Sequence, residues 1–181
     1  YHFFNLTLKF GDIPYSEALK GEKEAMFTPK YDSQEEVFAG ILDELQQSSE
    51  LLAAAADKEE IISGDIIYGG SSAKWQRLVN SFRLKVLMTL SHKSNVGNHD
   101  IKKDFATIVS QPLIESNSDN GQLSYIDQEG NRYPQFNAQW SGFYMDKTFI
   151  DRLSERRDPR LFLYALPTNE AASAGKSADD F

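Results

Sequence analysis

The sequence predicts a mainly α fold of paired helices (αα-hairpins) joined by long irregular loops. Two segments, beginning near Ser33 and Ser72, repeat apolar residues at helical spacing. A short glycine-punctuated loop lies between them, and two long helices joined in that way make an αα-hairpin. No sustained alternation of apolar and polar residues marks a strand series.

Taken in order, "YHFFNLTLKF" (1–10) reads as the end of a helix, and "FGDIPYSEALKG" (10–21) follows it. The second stretch has no nucleophile, no metal-ligand cluster and no phosphate-binding glycine pattern, so its role is architectural. The clearest helix lies in "PKYDSQEEVFAGILDELQQSSELLAAAAD" (29–57). Asp32 or Ser33 caps it, and Ser33 with Glu36 has the capping-box spacing. Glu35 and Glu36 fall in the first turn, where the macrodipole favours acids. Phe38, Ile41, Leu42, Leu45 and Leu52 make its apolar face, while Glu44, Gln46, Gln47 and Glu50 point to water.

Gly64, Gly69 and Gly70 make "SGDIIYGGSS" (63–72) a loop, and Ser72 then caps a helix of about five turns. Trp75, Leu78, Val79, Phe82, Val86 and Leu90 share one face; Leu84, Leu87 and Met88 widen it, as in a helix packed on two sides. The hairpin should bury Phe38, Ile41, Leu42 and Leu45 against Trp75, Leu78, Val79 and Phe82. A shorter helix, capped near Asn98, ends before Pro112. Residues 115–137 read as loop, with turn pairs at Asn120-Gly121 and Glu129-Gly130. Helical periodicity returns through Phe143, Phe149, Ile150 and Leu153, and an extended stretch follows Asp158-Pro159. The whole reads as one domain, 1–181, with a helical part (1–111) and a loop-rich part (112–181) carrying one further helix. The helix starts near Ser33 and Ser72 are about 39 residues apart, wider than the roughly 34-residue tetratricopeptide period, and that repeat's sequence signature is absent.

Composition narrows the function classes. At 181 residues the chain is long enough to bury roughly 70% of its unfolded surface. A net charge of −8 argues against nucleic acid, which needs a basic face, and gives no basic patch for anionic lipid. With no cysteine, disulfides, thiolate chemistry and Cys-ligated zinc are excluded within these residues. No apolar run approaches the roughly 20 residues of a membrane-spanning helix, and both ends read as cut from a longer precursor.

Reactive constellations are scarce. His92 and His99 flank a turn without metal-site spacing and read as solvated or capping residues. Adjacent acids such as Asp43/Glu44 and Glu59/Glu60 point different ways on a helix, unlike a glycosidase pair set across a cleft. "GGSS" lacks the Gly-Lys-Ser/Thr ending of a phosphate loop. Glu115, Asn117 and Asp119 offer oxygens at alternating positions, but the glycine is misplaced and the closing glutamate missing for a calcium loop, so a plain turn is the better reading. No metal and no cofactor is expected.

The aromatics, 12% of the chain, are more informative. Trp75, on the apolar helix face, reads as core. "YPQFNAQWSGFY" (133–144) interleaves rings with amides and carries no charge, which suits a sugar: a pyranose C–H face stacks on a ring while amides serve its hydroxyls. Trp140, with Tyr133 and Tyr144 as weaker candidates, is the expected ligand contact; rings filling a core beneath the loop are the competing reading.

"FGDIPYSEALKG" (10–21), "PKYDSQEEVFAGILDEL" (29–45), "GDIIYGGSSAKWQRLVNSFRLKVLM" (64–88) and "RRDPRLFLYALPT" (156–168), in this order and spacing, resemble the SusD/RagB-like outer-membrane nutrient-binding lipoproteins of Bacteroidetes. The resemblance implies a tetratricopeptide-like helical scaffold, with 10–21 as the junction between successive helices. Gly11 would relax that backbone, and Pro14 would force Ile13 out of the helical region. It implies a cell-surface protein without enzymatic activity that passes oligosaccharides or other nutrients to a TonB-dependent, SusC-like transporter. Its membrane contact would be a lipid anchor lying outside these residues. The alternative is a helical-repeat scaffold that binds another protein through its concave face; an enzyme such as a glycosidase ranks last, for want of a catalytic constellation.

Overall fold

Ser33 starts the longest helix as its sequence requires. Its hydroxyl accepts from the Glu36 N–H, and the Glu36 carboxylate accepts from the Ser33 N–H at 2.8 Å, the reciprocal capping box. The computed structural model describes residues 1–134 and 144–165. The chain divides into two compact units, 1–124 and 125–181. The first contains α1 (His2–Phe10), α2 (Gly21–Glu24), α3 (Gln34–Asp57), α4 (Ser72–Thr89), a two-stranded antiparallel ladder of β1 (Asn95–Val96) and β2 (His99–Asp100), and α5 (Ile101–Ile108). The second contains α6 (Lys147–Glu155) and α7 (Leu161–Tyr164). The fold is mainly helical, and α3 and α4 form its principal hairpin. Among the described residues no helix is long and apolar enough to cross a membrane.

The turn 10–21 is organised chiefly by the Asp32 carboxylate, with Asp12 and Glu17 accepting from the N–H groups of Gln34 and Lys30. Asp32, 5% exposed, accepts from the backbone N–H of Tyr15 at 3.0 Å and of Ser16 at 2.7 Å, and from the Ser16 hydroxyl at 2.8 Å. Ile13 exchanges two backbone hydrogen bonds with Asp32, the extended conformation that Pro14 imposes on its predecessor. Gly11 takes φ +74° and ψ −119° as the C-cap of α1, a positive-φ conformation that suits glycine. So Asp32 does not cap α3; Ser33 does. The ring of Tyr15 lies against α3 at Gly40, where an added Cβ would come 2.5 Å from Tyr15 Cε1. A mid-helix glycine costs about 1 kcal/mol of helix propensity, and here it admits an aromatic ring.

A second carboxylate organises the loop between α3 and α4. Asp65 accepts from the N–H groups of Gly70 at 2.8 Å, Ile67 at 2.9 Å and Tyr68 at 3.2 Å, and from the Trp75 indole at 2.9 Å. Ser71 rather than Ser72 caps α4, accepting from the Lys74 N–H; Ser72 is buried and donates to the Glu60 carbonyl at 2.6 Å. Two serines in succession satisfy the same sequence rule, and the tertiary partner of Ser72 decides between them.

These two carboxylates make the fold sensitive to acid. Ser16, through its N–H and hydroxyl, holds Asp32 down at about 2. Burial alone would raise Asp65, but the donors from Gly70, Ile67, Trp75 and Tyr68 outweigh it and leave Asp65 at about 2 as well. Both lie below the ordinary 3.8 of an unfolded aspartate. Their stabilisation is therefore present above about pH 4 and is lost as pH falls toward 2. Urea midpoints should hold through pH 5 and drop between 4 and 2. Asp65→Asn should lower the neutral midpoint and make the acid fall shallower; an unchanged acid slope would remove Asp65 from the account.

The core gathers Phe4, Val37, Phe38, Ile41, Leu42, Val86, Leu87, Val96 and Ile108 from α1, α3, α4, β1 and α5. Leu45 and Phe82 pack at its edge. Trp75, Leu78 and Val79, expected in the core, are only half-buried; the deepest apolar part of α4 lies further along, at Val86 and Leu87. Residues 112–119 pack on α4. Pro112 carbonyl accepts from Asn80 Nδ2 at 3.0 Å, Ile114 N–H donates to Ser81 Oγ at 2.9 Å, and Tyr68 hydroxyl donates to the Asp119 carbonyl at 2.7 Å. Thus α4 is packed on two sides, as its wide apolar surface implies.

Three further expectations need correction. The cap of α5 is Asp100, accepting from Lys103 N–H at 2.9 Å, because Asn98 is used in the turn between β1 and β2. Residues 161–164 form a helical turn, not an extended strand. There Leu161 is buried and Tyr164 meets Phe149 of α6 at 6.0 Å between ring centroids. His99 is neither solvated nor a cap: it is 7% exposed, with Nδ1 2.7 Å from Asp104 and Nε2 3.1 Å from Asp43.

Candidate functional site

Among the described residues no group of three or more His, Asp or Glu is placed to hold an ion. The stretch 117–119 is a 3-10 turn, and its Asp119 carboxylate accepts from the Glu115 N–H at 3.2 Å and faces Arg77 at 3.6 Å. Those donors lower its ionisation below the usual carboxylate range, the Glu115 N–H first. The Asp119 carboxylate is thus committed to the protein's own groups.

Trp75 lines a groove of about 650 Å³ between α3 and the 62–67 loop, with Leu51, Leu52, Ile66 and Val79 among its walls. The indole edge is spent on Asp65 and the ring meets Tyr68 edge-on at 5.3 Å, so Trp75 is a structural residue of the loop.

The aromatic–amide stretch singled out in the sequence lies in the second unit. Trp140 falls outside the described residues. Tyr144 is 84% exposed just before α6. Tyr133 is half-exposed, and its ring partner is Tyr125, which sequence reasoning did not select. The two rings stand at 82° with centroids 5.3 Å apart. The loop between them folds back on itself. Asn131 N–H donates to the Gln128 carbonyl at 2.9 Å, closing a turn whose third residue, Gly130, has φ +83°. Ile126 N–H donates to the Asn131 carbonyl at 3.2 Å, and Arg132 Nε donates to Asp127 at 2.6 Å. The Glu129-Gly130 turn pair was the signal that could have placed Tyr125 opposite Tyr133. What this arrangement offers chemically is two adjoining phenol rings with amides from Gln128 and Asn131 in the same loop.

Comparison with known proteins follows the same direction. Residues 1–178 match the model of a SusD-like family described as starch-binding and associating with the outer membrane. A SusD homologue of Bacteroides fragilis is 58% identical, with 99% of this chain and 38% of that chain covered at a TM-score of 0.89. An outer-membrane protein of Bacteroides vulgatus, connected with nutrient binding, is 51% identical, with 99% and 39% covered at a TM-score of 0.90. A chitin-binding protein is 29% identical, with 88% and 33% covered at a TM-score of 0.68. The chain therefore spans about two fifths of the length of the first two relatives. No curated protein matches it.

Proposed function

Since this chain belongs to the SusD-like family, whose members associate with the outer membrane, we propose that it is part of a cell-surface protein that captures oligosaccharides and passes them uncleaved to a TonB-dependent, SusC-like transporter. The observation that carries the reading is the family match over residues 1–178, reinforced by 58% identity to a SusD homologue. The family description supplies starch as a first ligand class, and the chitin-binding relative supplies N-acetylglucosamine oligomers as a second. Both are neutral or nearly so, in keeping with the uncharged aromatic–amide stretch 133–144. The reading needs no reacting group: it assigns no nucleophile, no acid/base pair and no cofactor.

The test has two parts. Purified full-length protein should migrate more slowly in native gels cast with amylopectin, or give a calorimetric signal with chitin hexasaccharide, and should release no reducing ends from either. Affinity-tagged protein drawn from detergent-solubilised outer membranes should carry a TonB-dependent transporter with it. Failure to bind any glycan, or detectable cleavage abolished by one carboxylate substitution, would overturn the reading.

A further inference from the structure

We propose that Tyr125 and Tyr133 together form a preformed sugar-stacking corner, a subsite for one neutral pyranose unit. The proposal rests on the carbohydrate-binding reading above and adds to it a place and a second residue. Both rings are about half-exposed, 46% for Tyr125 and 50% for Tyr133, although they touch each other. At 82° and 5.3 Å they present one ring face beside the edge of the other. Such a corner offers a pyranose a flat surface for its C–H face and a second ring alongside it. The phenol hydroxyls, each donor and acceptor, suit the sugar's own hydroxyls.

The corner is held before any ligand arrives. It sits at the base of a folded-back loop fastened by the Gln128–Asn131 turn, the Ile126–Asn131 hydrogen bond and the Arg132–Asp127 ion pair. A loop backbone held in this way loses little freedom on binding, which favours affinity from a small contact. The ion pair has a further consequence: a guanidinium held by its own carboxylate does not call for an anionic ligand. An anionic polysaccharide would need a basic surface, whereas this loop balances Arg132 with Asp127 and adds Glu129. The geometry therefore favours neutral sugars.

Native gel retardation in amylopectin and titration calorimetry with chitin hexasaccharide test the corner in the full-length protein. Tyr125→Ala and Tyr133→Ala should each weaken binding by about fivefold, the scale of one lost ring stack. Tyr125→Phe and Tyr133→Phe should stay within about twofold, because the stacking faces remain. Thermal unfolding monitored alongside should be unchanged, since both side chains are exposed. If wild-type protein binds and both alanine variants bind equally well, the corner is overturned while the family reading stands. If the alanine variants lose binding only together with their fold, the pair is a structural clasp and the proposal fails. If wild-type protein binds neither glycan, the carbohydrate reading falls and takes the corner with it.

Discussion

Phe4→Ala should cost about 3–5 kcal/mol, the range for emptying a buried phenylalanine site. Phe4 is 1% exposed on α1, and its ring meets Phe82 of α4 at 5.2 Å and Phe38 of α3 at 6.1 Å, edge-to-face in both cases. Its ring packs α1 onto both helices of the α3–α4 hairpin, so the cavity left behind would be lined by parts of three helices. Helices packed on both sides relax poorly into such a space, which places the cost toward the upper end. Phe82 behaves differently. The sequence puts it in the centre of the hairpin, yet it lies at the core's edge, where Tyr1 covers it at 5.8 Å. Phe82→Ala should therefore cost less than Phe4→Ala. Urea unfolding of both variants and of the double variant measures the difference; the pair should couple by about 0.5–1.5 kcal/mol. A loss below about 1 kcal/mol for Phe4→Ala, or a larger loss for Phe82→Ala, would mean that the core is centred elsewhere.

That contrast shows what the sequence made legible. The helices themselves could be read, because caps and apolar periodicity are local: Ser33, Glu36 and the Phe38–Leu42 face need only their neighbours along the chain. What could not be read is which part of a long apolar face is covered. α4 carries apolar residues from Trp75 to Leu90, and its deepest apolar section depends on where α1 and α5 cross it. Buried polar residues were missed for the same reason. Asn80 is fully buried because Ser49 donates to its Oδ1 at 2.7 Å and its amide donates to Pro112. Those partners stand 31 and 32 residues away, beyond any periodicity argument. His99 reads in the sequence as solvated or capping because the acids it meets, Asp43 and Asp104, come from α3 and α5 rather than from a metal-like spacing. At the candidate site the balance was similar. Tyr133 and Tyr144 were visible as aromatics among amides, while Tyr125 became a candidate only when the loop brought it against Tyr133.

Arg83→Met should be the second most damaging change, at about 3 kcal/mol, the low end for removing one partner of a buried ion pair. Arg83 is 8% exposed on α4. Its Nη2 donates to Gln46 Oε1 on α3 at 2.8 Å and lies 3.6 Å from the Asp104 carboxylate on α5. Asp104 in turn faces His99 Nδ1, and His99 Nε2 faces Asp43. Both histidine contacts are hydrogen bonds only when each ring nitrogen carries a hydrogen. The chain Gln46–Arg83–Asp104–His99–Asp43 thus runs from α3 through α4, α5 and β2 and returns to α3. Methionine keeps the apolar stem but leaves Asp104 without the guanidinium and Gln46 without its donor. The side chain of Asp104 is 22% exposed, so water softens the penalty. Arg83→Lys should fall between wild type and methionine, since it restores the charge without the planar fork. Adding Asp104→Asn to Arg83→Met should recover part of the loss, because the stranded carboxylate is gone while the amide oxygen still accepts from His99. A double variant no more stable than Arg83→Met would show that the stranded Asp104 carboxylate is not the source of the loss.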